Sequence, residues 1–139
     1  MSEENKDIVR SFVEELFNKG NREIANQLVS PDCVVVGAAE SGRGPEPLLK
    51  AAEMLRNAFP DFHMAIEEIV AEENKVVVRT REGGTHRGNF LGIAPTNKEA
   101  AWRGVTMLTL ENGKIIHSWG IRDRMEMMQQ LGLMSGPPR

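Results

Sequence analysis

Residues 99–123, "EAAWRGVTMLTLENGKIIHSWGIRD", decide how this chain folds. Two runs rich in β-branched, aromatic and long apolar residues flank Asn112-Gly113. Asn-Gly suits the two central positions of a tight hairpin turn, where both residues take positive φ. The segment therefore predicts two long antiparallel strands. Counting outward from the turn sets Glu111 opposite Lys114 and Leu110 opposite Ile115. The same count brings Leu108 to His117, Thr106 to Trp119, Gly104 to Ile121 and Trp102 to Asp123. Side chains alternate along a strand, so these residues share one face. It gathers both tryptophans, a histidine and a carboxylate, and is expected to look into the molecule. Arg103, Val105, Met107 and Thr109 lie against Arg122, Gly120, Ser118 and Ile116 on the other face. That face is more polar and is expected to look outward or toward a partner subunit.

Upstream, Ile8, Val9, Phe12, Val13, Leu16 and Phe17 recur at helical spacing, which predicts a helix over 3–19 that stops at Gly20. A short helix is expected over 21–28. A third, introduced by the prolines of "GPEP", runs to about residue 59, where Pro60 closes it. A short strand ends at Gly37. Further strands are read in "FHMAIEEIVA" (62–71), in "KVVVRTRE" (75–82) and, after a break at Gly83-Gly84, in "THRGNFLG" (85–92). The last helix is "MEMMQQLG" (125–132). Residues 1–134 thus read as a single α+β domain, with 135–139 as a flexible tail. Three helices from the N-terminal half pack a curved antiparallel sheet into a cone, and a short C-terminal helix follows. Such a cone leaves a cavity, and Gly83-Gly84 is the expected bulge where the sheet bends.

Composition narrows the chemistry. The 139 residues carry a net charge of −3 with the signs interspersed, which argues against a nucleic-acid partner. No apolar run is long enough to span a membrane. The acidic start "MSEENKDIVR" resembles neither a signal nor a transit peptide, so a cytoplasmic protein is expected. One cysteine, Cys33, allows no intrachain disulfide and reads as a half-buried thiol. No two of His63, His86 and His117 have helical metal-site spacing, so no metal is expected. There is no tyrosine, hence no phenol to donate to an oxyanion. Chemistry, if any, rests on a carboxylate: Asp7, Asp32, Asp61 or Asp123.

Asp123 carries two readings. Beside an indole, in a cavity with few charges, desolvation would raise its pKa and suit it to general acid–base work. Equally, Asp123-Arg124-Met125-Glu126 is a D-x-x-E capping box, worth about 1 kcal/mol without any catalysis. His117 reads as a core histidine or an assistant, and His86 as a pocket or a turn residue. His63 reads as a strand-edge residue. Met125, Met127, Met128, Leu131 and Leu133 form either the docked face of the last helix or a pliable lid.

Taken together, "FPD" (59–61), "GTHRGNFLGIAPT" (84–96), "NGKIIHSW" (112–119), the lone Asp123 and "QQLG" (129–132) resemble the SnoaL-like polyketide cyclases. These ester cyclases belong to the nuclear-transport-factor-2-like, or ketosteroid-isomerase-like, superfamily. The resemblance implies a cone-shaped α+β barrel and a homo-oligomer, a dimer or tetramer formed through the sheet face. It also implies a cofactor-free intramolecular aldol condensation on a hydrophobic, polycyclic polyketide ester. Asp123 would then be the general acid/base, with His117 as a possible assistant. Phe17, Met54, Phe59, His86, Trp102, Thr106, Leu108 and Trp119 would line the substrate pocket. The cyclases carry further polar residues on the strand before the aspartate, where this chain has Thr106 and Leu108. A superfold hosts many functions, so alternatives stand beside this one. They are a non-catalytic domain binding a small hydrophobic ligand, and a related isomerase, hydroxylase or epoxide hydrolase with Asp32 as second carboxylate.

Overall fold

The hairpin forms as the turn chemistry requires. In the computed structural model, which describes residues 2–37 and 41–134, Asn112 and Gly113 take φ of 51° and 79°. They join β5 (Glu99–Glu111) to β6 (Lys114–Arg122), the last two strands of the chain. Leu110 faces Ile115 and Glu111 faces Lys114 as counted. One residue on, the register slips. Thr109 pairs with His117, Leu108 with Ser118, Met107 with Trp119, Thr106 with Gly120 and Gly104 with Arg122, leaving Ile116 as an extra residue.

A one-residue bulge turns over every side chain beyond it. Ser118, Gly120 and Arg122 therefore join Thr106 and Leu108 on the inner face, while His117, Trp119 and Ile121 turn outward. The uninterrupted count placed these two sets the other way round. Glycine suits the inner position 120, where a Cβ would lie 3.3 Å from both Thr106 Oγ1 and Arg122 Nη1.

Among the described residues the chain forms four α-helices and a six-stranded, curved, unclosed sheet. α1 (Ser2–Ser11) runs into π-helical turns over Phe12–Asn18, and α2 (Arg22–Leu28) follows with Asn21 as its cap. β1 (Val29–Gly37) and the short β2 (Gly42–Arg43) precede α3 (Glu46–Ala58). β3 (His63–Glu72), β4 (Lys75–Thr85), the hairpin and α4 (Arg124–Gln130) complete the order. The strands lie as β2-β1-β6-β5-β4-β3, antiparallel except for the parallel pair β1–β6.

Two local expectations are corrected. Gly83 and Gly84 do not form a bulge, since β4 passes through them in register with Ala101 and Ala100. The irregularity lies instead in β3, between Ile66 and Glu68. Glycine at 84 leaves room for Asp61, whose Oδ1 would stand 2.6 Å from a Cβ there. "THRGNFLG" is not a strand beyond Thr85 but a loop, pinned at an isolated bridge between Phe90 and Ile93. The tail expected at 135–139 lies outside the described residues.

The core fills the space between the helices and the concave sheet face. Val9, Leu16, Ala52 and Phe59 come from the helical side, and Val76, Trp102, Leu108 and Ile115 from the sheet. Met127 and Leu131 bury one side of α4, while Met125 and Leu133 of the same apolar set stay exposed. No helix among the described residues is long and apolar enough to cross a membrane.

Candidate functional site

The π-helical turns shape one wall of an interior cavity. Hydrogen bonding from residue i+5 to i widens the helix, as from Lys19 N to Glu14 O. Phe12 and Phe17, five apart, thus meet edge-to-face, with centroids 5.5 Å apart and planes at 82°. Both line the cavity, together with Leu48, Ala51, Met54 and Leu55 from α3 and Phe90 from the loop after β4. The free space is small, ≈ 50 Å³, against about 300–1,000 Å³ for sites that hold drug-sized ligands.

Its polar end is built on β4, β5 and β6. Val76, Val78, Thr80 and Glu82 alternate onto the inner face of β4, so the last of an apolar series is a carboxylate. Glu82 is only 1% exposed. Its Oε2 accepts from Arg122 Nε at 2.9 Å and from the Thr80 hydroxyl at 2.8 Å. Its Oε1 accepts from the Trp102 indole at 3.2 Å, which satisfies the buried N–H of that ring. Arg122 Nη1 donates to Thr106 Oγ1 at 3.2 Å and to backbone carbonyls of Ile121 and Val105. Gly104 makes room for the pair, because a Cβ there would lie 2.7 Å from both Arg122 Cδ and Glu82 Oε2.

Arg124 completes this end. Its guanidinium carbon stands 4.9 Å from the centre of the Phe90 ring. Burial lowers its pKa below the ordinary arginine value; Glu82 opposes the shift and Arg122 adds to it.

The expected site residues are scattered differently. Phe17, Met54, Trp102 and Thr106 line the cavity. Phe59 is fully buried one layer behind it, with ring centroids 5.2 Å from Trp102 and 5.9 Å from Phe90. Leu108 is buried in the core outside the lining. His86 is buried in the loop, where Nδ1 accepts from Thr96 N at 3.2 Å and braces the chain segment. Trp119 is 39% exposed on the outer face, and His117 shares that face in register with Thr109.

Asp123 caps α4, its Oδ1 accepting from Glu126 N at 2.9 Å. It borders an outer groove with Arg79, Arg103 and Val105 rather than the cavity. Asp32, in β1, is exposed. Among the described residues no three His, Cys, Asp or Glu side chains converge as a metal site.

Glu82, Arg122 and Arg124 did not emerge from the sequence. The alternation Val76-Val78-Thr80-Glu82 held the signal for Glu82, whereas both arginines depend on the β6 bulge and on how α4 docks. That docking uses the QQLG segment. The Gln130 amide pairs with the backbone of Ala101, accepting from its N–H at 2.7 Å and donating to its carbonyl at 2.6 Å. Glu126 adds a bond from Arg103 N and an ion pair with the Arg103 guanidinium, both at 3.0 Å.

Known proteins with this build bear on what such a cavity does. The aklanonic acid methyl ester cyclase AcmA of Streptomyces galilaeus is 30% identical over 128 residues, covering 89% of this chain and 88% of that protein. The crystal structure of IdmH from Streptomyces antibioticus, a proposed polyketide cyclase, is 29% identical with a TM-score of 0.80, covering 92% of this chain and 98% of that one. AclR from Streptomyces galilaeus, a proposed hydroxylase, is 26% identical with a TM-score of 0.84, covering 99% and 90%. The family model for the SnoaL-like polyketide cyclases matches residues 7–131. On the sequence match and the shared fold together, this chain belongs to the SnoaL-like polyketide cyclase family.

Proposed function

We propose that this protein closes a ring in a hydrophobic carbonyl compound bearing an ester, moving one proton onto and off a carboxylate. One observation carries the proposal: a carboxylate–guanidinium cluster sits at one end of a largely apolar cavity. Apolar walls would hold flat rings, and fixed orientation supplies much of the acceleration in an intramolecular reaction. The likeness to an aklanonic acid methyl ester cyclase supports a polyketide ester as the substrate class.

The carboxylate takes a proton from the methylene beside the ester. The enolate carbon then attacks the ketone carbon, making the new C–C bond, and the carboxylic acid returns the proton to the alkoxide. No atom is gained or lost. Glu82 lines the cavity, and we assign it this role. A ring system is far larger than the present free space, so its entry must displace side chains of the wall.

A second assignment keeps the acid/base on Asp123, and one observation favours it. Its neighbours Arg122 and Arg124 both line the cavity.

Turnover of aklanonic acid methyl ester separates the assignments. With Glu82 as the acid/base, Glu82→Gln should lose at least about 100-fold in kcat while Asp123→Asn stays near wild type. The reverse pattern moves the role to Asp123. A wild-type protein inert toward the ester would end the ring-closure proposal for this substrate class.

We propose in addition that two copies pair through the outer sheet face. Val36, Trp119 and Met107 lie side by side there across β1, β6 and β5, each about two-fifths exposed.

A further inference from the structure

Among the described residues, the polar end of the cavity has one positive charge more than its own carboxylate can pair. Glu82 is committed to Arg122, Thr80 and Trp102. Arg122 is committed to Glu82, Thr106 and two backbone carbonyls. Together these two side chains are neutral. Arg124 is left over: it lines the same cavity, and its Nη1 is buried with no acceptor among the described residues. The Phe90 ring faces the guanidinium but accepts no strong hydrogen bond. A buried donor left without a partner costs about 1–3 kcal/mol, more when charged. Retaining one in a cavity wall makes sense where a ligand supplies the missing acceptor.

We propose that Arg124 anchors an anionic oxygen of the ligand, so that the cavity selects hydrophobic ring compounds bearing an enolate, phenolate or carboxylate over neutral analogues. The inference rests on the cavity being the ligand site and deepens that proposal. In ring closure the bound oxygen would be that of the enolate, whose charge appears only after proton removal. Arg124 would stabilise it through a charge-assisted hydrogen bond. An anionic ligand would also return to Arg124 the counter-charge that burial withholds.

Titration calorimetry with two probes of matched shape, 2-naphthoate and methyl 2-naphthoate, tests it. Wild type should bind naphthoate at least tenfold more tightly than the ester. Arg124→Gln should bring the two within about twofold by weakening naphthoate alone, and Arg124→Lys should restore part of the preference. Thermal melts of both variants establish that they fold. Ala51→Phe, which fills the cavity, should abolish binding of both probes. A naphthoate preference that survives Arg124→Gln, or none in wild type, overturns the anchor and leaves the cavity standing. Failure of both probes to bind, or binding untouched by Ala51→Phe, overturns the cavity and the anchor together.

Discussion

Asp61, the aspartate of the FPD segment, shows how one side chain can hold a loop to a strand. Its Oδ1 accepts from Thr85 N at 2.6 Å and its Oδ2 from the Thr85 hydroxyl at 2.9 Å. The backbone bond from Thr85 is the largest influence lowering its pKa below the ordinary 3.8, and the Thr85 hydroxyl and Arg87 also contribute. A carboxyl with a depressed folded-state pKa adds stability above its unfolded value and loses it as pH falls through the folded one. Asp61→Asn should therefore lower Tm at pH 7 by a few degrees, for a loss of about 1 kcal/mol. As pH falls below the ordinary 3.8, the gap between variant and wild type should narrow. Thermal melts across pH 2–7 would check this, and an unchanged gap at low pH would contradict it. Asp123 is the contrasting case, since its capping role was legible in D-x-x-E but its position relative to the cavity was not.

At the scale of elements, the β6 bulge and the glycine opposite Arg122 act together. The bulge turns Arg122 inward, and Gly104 on β5 leaves the space that the Glu82–Arg122 pair fills. Gly104 does not have positive φ, so alanine there costs steric conflict rather than backbone strain. Gly104→Ala should destabilise by about 1–3 kcal/mol, read as a lower urea midpoint with an unchanged slope. Full wild-type stability would mean that the pair shifts freely, contrary to its tight anchoring by Thr80, Trp102 and Thr106. The π-helical turns work similarly. The spacing of Phe12 and Phe17 predicted a helix correctly, but an ordinary α-helix would separate these rings, which here meet at the cavity wall.

For the whole molecule, the outward turn of Trp119 is the feature with the widest consequence. An indole beside Met107 (45% exposed), near Ile121 (56% exposed), is an apolar patch of the kind that marks association surfaces. Trp119→Lys should shift the protein toward monomer in analytical ultracentrifugation while leaving naphthoate affinity within about twofold, because Trp119 is outside the cavity lining. A wild type that is monomeric at 100 μM would refute pairing through this face. The sequence by itself determined the α+β class, the helices, the Asn112-Gly113 hairpin and the cap at Asp123. Each follows from periodicity or turn chemistry over a few neighbouring residues. It could not determine which side of β6 meets the cavity, because a single extra residue reverses every later side chain while leaving the local pattern strand-like. Only tertiary packing decided that, with glycine at the inner position 120 beside Thr106 and Arg122. It alone brought Glu82, Arg122 and Arg124 from three elements to one end of the cavity.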